Sequence, residues 1–242
     1  MRTYATAQLI GDRSHQCDAT ATAAGPNGTR AHVLLDGIGS SDETRDWTRT
    51  AARKLARSAA YHADAETGLR TQYEKYAADP DRQGPWGFGP NACAIVAVTT
   101  PRWLTIAWCG DTRAYLMVRG TVLRLTADHN LRRVYPPDDV YPTGGSRNTV
   151  TSCLGSPHTD DEVKAEYGHP AIEAVTRPAE DCRLLLASDG AYEPLEDSLR
   201  NLADYLTGAP GYAARDFVTA AVEHATLHAD NATVLIADLA AR

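Results

Sequence analysis

Four aspartates stand where apolar runs begin or end. Val33-Leu34-Leu35 runs into Asp36-Gly37, Ile106-Ala107-Trp108-Cys109 into Gly110-Asp111, and Leu184-Leu185-Leu186-Ala187-Ser188 into Asp189-Gly190, while Asp230-Asn231 precedes the run opening near Thr233. In antiparallel sheets the end of one strand lies beside the start of its neighbour, so these acids can share one edge. Carboxylates gathered there repel one another and raise one another's pKa unless a cation neutralises them. An oxygen-only donor set favours hard ions such as Mg²⁺ or Mn²⁺ over zinc. Asp-Gly after a strand is also a common turn dipeptide, so the pattern alone leaves the ligand and turn readings both open. Gly37-Ile38-Gly39 imitates a dinucleotide-binding loop, but the third glycine's place is taken by Asp42, which would repel a pyrophosphate.

The elements that must position these acids are strands. Ala31 to Leu35, Cys93 to Val98, Trp103 to Cys109, Leu184 to Ala187 and Thr233 to Leu239 are short apolar runs bounded by turn formers, with shorter ones at Ala114 to Arg119 and Thr149 to Leu154. Thr100-Pro101-Arg102 is the right length for a hairpin. Between the strands, Ser40-x-x-Glu43 reads as a capping box before Trp47, Ala51, Leu55 and Ala59, which recur every fourth residue. Glu66 to Ala78, Leu195 to Leu206 and the stretch around Phe217 to Ala225 are also expected to be helical. Arg132 to Arg147 is polar, with Pro136-Pro137 and Gly144-Gly145, and reads as a long excursion of the kind that often forms a functional lid. The order predicts an antiparallel α+β sandwich rather than a strictly alternating parallel fold.

Composition narrows the function classes. With 24 Lys+Arg against 31 Asp+Glu the net charge is −7, and no basic stripe appears, which argues against nucleic acid as a partner. The apolar share of 43% suits a globular chain of 242 residues with a substantial core. No apolar stretch reads as a signal peptide or a membrane span. The five cysteines are widely spaced without a C-x-x-C pair, which disfavours a zinc ribbon or disulfide framework and reads as small core residues. The expectation is a soluble, cytoplasmic protein with no membrane contact.

Seven motifs in order resemble the metal-dependent Ser/Thr protein phosphatases of type 2C in their compact bacterial form. Gly11-x-Arg13-x-x-Gln16-Cys17-Asp18-Ala19 resembles the opening G-x-R-x-x-N-[EQ]-D-A element, and Asp36-Gly37-Ile38-Gly39 the D-G-x-G signature. Gly110-Asp111-Thr112-Arg113-Ala114-Tyr115 is similar to G-D-S-R-x-Y, and Leu125-Thr126-Ala127-Asp128-His129-Asn130 to L-T-x-D-H-S. Thr151-Ser152-Cys153-Leu154-Gly155, Leu185-Leu186-Ala187-Ser188-Asp189-Gly190 and Asp230-Asn231-Ala232-Thr233 complete the set.

The resemblance implies a four-layer α-β-β-α sandwich of two antiparallel sheets flanked by helices. It implies one phosphatase domain over 1–242, with a flap at about 131–148. It further implies hydrolysis of phosphoserine and phosphothreonine in proteins by a metal-activated water, with two core Mn²⁺ or Mg²⁺ ions and a third, weaker one. Asp36 would bridge the core ions, the Gly37 carbonyl complete the second site, Asp189 and Asp230 hold the first, and Asp111 serve the third. Asp18, at the acidic position of the opening element, is a further expected metal residue, and Arg13 matches the arginine that grips the substrate phosphate. Arg13, Asp36 and Asp189 are thus the expected catalytic group. The implied partners are phosphorylated proteins of a Ser/Thr kinase pathway. The alternative is a catalytically weak phosphate-binding relative that docks phosphorylated partners; the intact acid set speaks against it.

The chain departs from the family pattern at four places, one being Ser40-Ser41 in place of the small or Gly-rich continuation after the D-G-x-G signature. Cys17 replaces Glu or Gln and removes an oxygen from the second metal's water shell, Gln16 replaces Asn, and Ile38 stands where some relatives carry a histidine proposed as general acid. Among the other titratable residues, His129 reads as the brace of a turn and His15 as a surface histidine. Arg132, Arg133 and Arg147 read as a solvated face.

Overall fold

Side chains on a strand alternate between its two faces, and Arg30–Ile38 (β3) shows what each face meets. Ala31, Val33 and Leu35 join a core shared with helices, whereas Leu34 joins a second core between two sheets. In the computed structural model, which describes residues 3–83 and 88–240, this two-sided burial repeats through the chain. Met1 and Arg2, the start of the segment read for a signal peptide, lie outside the described residues, as do 84–87 and 241–242 of the expected 1–242 domain.

Before β3 come β1 (Tyr4–Leu9) and β2 (Ala19–Ala24); after it come helices α1 (Asp42–His62) and α2 (Ala65–Ala77). Strands β4 (Asn91–Thr99), β5 (Trp103–Cys109), β6 (Arg113–Val118) and β7 (Thr121–Arg124) follow. The rest is α3 (Leu131–Val134), α4 (Asp160–Tyr167), β8 (Glu173–Pro178), β9 (Cys182–Ala187), α5 (Asp189–Asp197), α6 (Pro210–His224) and β10 (Ala232–Leu239). The strands form two antiparallel sheets, ordered β1-β10-β9-β6-β7 and β2-β3-β4-β5-β8. Helices α1 and α2 cover the second sheet, α5 and α6 the first, and a leucine-rich core separates the sheets. The expected α-β-β-α sandwich is what the chain forms.

Small residues set the closeness of the outer layers. The buried face of α1 is Ala51, Ala52, Leu55, Ala56, Ala59 and Ala60, and a Cβ on Gly68 of α2 would fall 2.4 Å from Ala59 Cα. The α1 cap is Ser41, not Ser40: its hydroxyl accepts from the Thr44 N–H at 3.1 Å, so the Ser40-x-x-Glu43 box does not form. Thr149 to Leu154 is no strand either. It carries isolated bridges, Val150 with Asn130 and Leu154 with Ala92, because it closes the excursion rather than joining a sheet. The Leu195 to Leu206 helix is displaced: α5 starts at Asp189 and ends at Asp197, and a short 3₁₀ turn covers Leu202–Tyr205.

Candidate functional site

The four strand-end aspartates arrive two from each sheet. Asp36 lies on the β3 face that carries Leu34 into the space between the sheets. Its direct partner across the ladder is Cys93 of β4, so the Cys93 thiol projects to the same side. Asp111 follows β5 through Gly110, whose φ of 98° an L side chain rarely adopts; a Cβ there would meet Cys93 Sγ at 2.4 Å. Asp189 opens α5 directly after β9, and Asp230 stands two residues before β10. Gly190 lets these two segments touch, since a Cβ on it would lie 2.4 Å from the Asn231 carbonyl oxygen.

Asp36, Asp111, Asp189 and Asp230 line one pocket of about 190 Å³ together with Arg13 and Gly37. Six of the seven expected site residues are therefore brought together. Asp18 is the exception, placed beneath the pocket rather than in its wall. β2 begins at Ala19 opposite Leu35, which sets Asp18 beside Asp36. Asp18 is 2% exposed, and neither carboxylate oxygen has a hydrogen-bond partner. The hydroxyls beside it belong to Ser188 and Thr233, and Ser188 Oγ is already engaged with the Thr233 backbone N–H at 3.0 Å.

The electrostatics follow from this crowding. Burial, then the Asp189 and Asp18 charges, hold the Asp36 carboxyl well above its ordinary range. Burial pushes Asp18 up to about 8 and Asp111 up to about 7, and raises Asp189, with Asp230 adding to the last. The cation on the pocket wall is Arg13, half exposed, whose guanidinium donates to Asp230 Oδ2 and is held more strongly protonated by that bond. Among the described residues no three His, Cys, Asp or Glu side chains are drawn into a ready ligand shell. That agrees with four like charges that have only Arg13 between them. The chemistry of the set (oxygen donors, mutual repulsion, an orphaned buried carboxylate below) fits hard divalent cations.

Several wall residues carry no motif signal as ligands. Asn231 ties the site together: its Oδ1 accepts from the Cys17 N–H at 2.7 Å and its Nδ2 donates to the Ile10 carbonyl at 2.9 Å. Asn148 and Val150 bring the end of the excursion into the wall. Cys93 is buried, as a core cysteine would be, and also borders the pocket; its pairing with Asp36 is what brings it there. Cys17, 1% exposed, directs its thiol to the Ser41 carbonyl oxygen, 3.7 Å away, and does not line the pocket. Ile38 does, at the rim, where it is 44% exposed.

The histidines stay outside. His129 is fully buried, with Nε2 3.0 Å from Glu173 and its ring stacked on His169 at 4.3 Å. Its N–H donates to the Gly110 carbonyl at 3.0 Å, which braces the turn that delivers Asp111. His15 lies beside Ser14 and Asp42. The excursion arginines are not a plain solvated face. Arg133 grips Glu173 at 2.6 and 2.9 Å and Arg147 grips Asp197 at 2.9 and 2.6 Å, because forked guanidinium groups pair well with carboxylates offered by β8 and α5.

Fold and site together define a class, the α-β-β-α sandwiches with an acid pocket at one end of the paired sheets. The Protein phosphatase 2C family profile matches residues 15–134, about half of the chain, and this is the family that the chain resembles. It is 27% identical over 188 residues to a mouse protein called probable protein phosphatase 1N, covering 70% of this chain and 46% of the relative. It is 26% identical over 231 residues to rice probable protein phosphatase 2C 8, covering 87% of this chain and 55% of the relative. The chain thus spans about half the length of these relatives. Among solved structures, the S. agalactiae serine/threonine phosphatase superposes with a TM-score of 0.75 at 18% identity, over 96% of this chain and 97% of that one. The catalytic domain of the serine threonine protein phosphatase PstP in complex with two manganese ions gives 0.65 at 20% identity, over 98% and 97%. Among the described residues no helix is long and apolar enough to cross a membrane.

Proposed function

We propose that this chain hydrolyses phosphoserine and phosphothreonine esters in proteins with two Mn²⁺ or Mg²⁺ ions, and that residues 1–242 act as one phosphatase domain with a flap at 131–148. The supporting observation is the meeting of four strand-end aspartates, Asp111 buried and the others half-buried, with a single arginine fork in one pocket. In this reading Asp36, Asp189 and Asp230 would hold the two core ions, with the Gly37 carbonyl as a further donor. Asp111 serves a third, weaker ion, and Asp18 supports Asp36 from below. When bound, the ions lower the pKa of water and neutralise charge on the phosphate.

The remaining work falls to the chain itself. Arg13 leaves Asp230 for the phosphate, so one movement grips substrate and frees a carboxylate for metal. Its planar fork suits two phosphate oxygens at once. Asn231 fixes the Arg13 segment over Asp230 through the Cys17 and Ile10 backbones. Among the described residues no histidine lines the pocket, and Ile38 at the rim supplies no proton, so protonation of the leaving oxygen falls to solvent. Substrates would be the products of a Ser/Thr kinase, met in the cytoplasm, where the chain's five free cysteines stay reduced.

The test is phosphate release from a phosphothreonine peptide by the purified chain. Release is expected with Mn²⁺ and not with a chelator. Peptide binding without release at saturating Mn²⁺ would replace the enzyme by a docking protein.

A further inference from the structure

The rim of the acid pocket carries a line of hydroxyls ending in an imidazole. Arg13 and the Ile38-Gly39 pair both line the pocket. The residues that follow them, Ser14 and Ser40, join the two segments, with their hydroxyl oxygens 2.9 Å apart. Ser14 Oγ is also 2.9 Å from His15 Nδ1. The far nitrogen of that ring, Nε2, lies 3.4 Å from Asp42 Oδ1. Ser40, Ser14, His15 and Asp42 thus form one line, running from the rim shared by Arg13 and Gly39 back to the first turn of α1.

Each member has a reason to stand where it does. Asp42 opens α1 behind its Ser41 cap, where the helix dipole favours a carboxylate, and Arg45 holds it at 2.6 Å. The imidazole is half-buried, whereas Ser14 and Ser40 are open to solvent. The charged groups around the ring are Asp42 and Arg45 of α1 and Arg13 of its own segment. The acid pocket, about 190 Å³, is smaller than the ~300–1,000 Å³ of sites that enclose a drug-sized molecule. It has room for a phosphoryl group but not for the peptide that carries it, so the leaving oxygen stays at the mouth, beside this rim. Serine and threonine leave as alkoxides, strong bases for which a positioned proton lowers the barrier.

We propose that Ser14 and His15 relay a proton to the leaving serine or threonine oxygen. The relay rests on the phosphatase reading and deepens it: solvent remains the source of the proton, and hydroxyl and imidazole are its fixed route. As the oxygen of the attacking water bonds to phosphorus, the bond from phosphorus to the leaving oxygen breaks and its electron pair stays on that oxygen. The leaving oxygen takes the Ser14 hydroxyl proton, and Ser14 Oγ takes the Nδ1 proton of the imidazolium. Solvent then reprotonates the ring and receives the proton shed by the attacking water. In this step the leaving oxygen replaces Ser40 Oγ as the partner of Ser14.

Two esters separate the relay from the rest of the site. A phosphoserine peptide leaves as an alkoxide that needs the proton, and p-nitrophenyl phosphate leaves as a phenolate that does not. His15→Gln keeps an amide that can donate to Ser14 but cannot pass a proton on. At saturating Mn²⁺ it should lower kcat on the peptide about 100-fold, the scale of general acid catalysis, with KM little changed. The ratio of kcat on the peptide to kcat on p-nitrophenyl phosphate should fall at least about tenfold, and Ser14→Ala should lower the same ratio. A further readout needs no turnover: in nitrogen NMR of the full chain, the His15 Nδ1 resonance should move in Ser14→Ala. An equal fall on both esters, no fall on the peptide, or an unmoved Nδ1 resonance overturns the relay. No release of p-nitrophenol by the wild-type chain overturns the phosphatase reading itself, and the relay with it.

Discussion

Two clusters of charge flank α5 and are built on opposite terms. On one side Arg113, 9% exposed at its side chain, forms a fork to Asp128 at 2.9 and 2.7 Å and reaches Glu196 at 2.6 Å. Its guanidinium carbon lies 3.7 Å above the Tyr192 ring, Tyr115 donates to Glu196 at 2.7 Å, and Arg124 adds a second bond to Asp128. On the other side, four aspartates and the sunken Asp18 share one half-exposed arginine. The first cluster is finished: each charge has a partner, and the set holds its place without help. The second is unfinished in the protein alone, and its stability depends on what enters it. The clusters are also joined, because the Tyr192 hydroxyl donates to the Asp111 backbone carbonyl at 2.9 Å, so the finished network steadies one wall of the unfinished one.

The sharpest break in the comparison is to neutralise one acid of the pocket. Asp36→Asn and Asp189→Asn should each lower Mn²⁺-dependent turnover by roughly 1000-fold or more, the scale seen when one member of a catalytic unit is lost. Neither should lower the thermal midpoint in metal-free buffer, because each removes a repelled charge. Retained turnover in either variant would sink the two-metal assignment. Arg113→Met should do the opposite to stability. It takes the fork from Asp128, which keeps Arg124, and the cation from Glu196, which keeps Tyr115, and should cost about 3 kcal/mol, the usual scale for breaking a buried pair. Saturating Mn²⁺ should not single out this variant for rescue in chemical denaturation. A loss below about 1 kcal/mol would mean the network is mere surface pairing.

Titration sharpens the contrast. Asp18, Asp111, Asp36 and Asp189 all have folded pKa values above their unfolded ones, so the native state binds more protons than the unfolded chain between about pH 4 and 8. Stability from these groups is therefore present at low pH and lost as pH rises through that window. Glu173, in the grip of Arg133 and His129, is held down to about 2 and runs the other way, its contribution lost as pH falls from about 4.5 toward 2. The thermal midpoint of chelator-treated protein should fall from pH 5 to pH 8. With saturating Mn²⁺ it should rise, since metal binds the deprotonated acids. Parallel curves with and without metal would contradict the pocket's role.

Much of this arrangement was legible because it depends on local grammar. An apolar run that ends in Asp-Gly announces both a strand and a group at its tip; two such boundaries, with Gly-Asp and Asp-Asn at two others, pointed to Asp36, Asp189, Asp111 and Asp230. What stayed hidden depends on pairing. Asp18 lies in a polar stretch, and its depth comes from the β2–β3 register, which no window around residue 18 contains. Cys93 looked like core for the same reason. β1 and β2 were missed because Tyr4-Ala5-Thr6-Ala7 and Ala19-Thr20-Ala21-Thr22 are small and polar, as edge strands with one solvated face can be. α4 was missed although its Thr159-x-x-Glu162 capping box is written in the sequence, because its eight residues bury only Val163.

In the proposed scheme Arg13 bridges the unfinished cluster and the substrate, so its loss should show mainly as weaker binding. Arg13→Ala should raise KM about tenfold with kcat changed less, the pattern for a ground-state contact. Arg13→Lys should recover only part, because an ammonium lacks the bidentate fork. A collapse of kcat at fixed KM would instead give Arg13 a role in the chemical step.

The smallest expected effect, and the finest test of how the two clusters meet, is at Asp111. Its backbone carbonyl is held by Tyr192 and, one residue earlier, the Gly110 carbonyl accepts from His129, so its main chain belongs to the finished side. Its carboxylate faces the unfinished side, where burial and Asp189 raise its pKa to about 7. In the proposed scheme Asp36, Asp189 and Asp230 serve the core ions, which leaves Asp111 a site with fewer protein ligands and more water. Mg²⁺ and Mn²⁺ accept such hydrated sites at a cost in affinity. Asp111→Ala should therefore cut kcat severalfold, on the order of 1 kcal/mol in the barrier, while calorimetry still shows two tighter Mn²⁺ sites. Because the backbone bonds survive the substitution, the thermal midpoint in metal-free buffer should hold. Loss of all Mn²⁺ binding would make Asp111 part of the core pair, and an unchanged kcat at saturating Mn²⁺ would return it to the finished network as a turn residue alone.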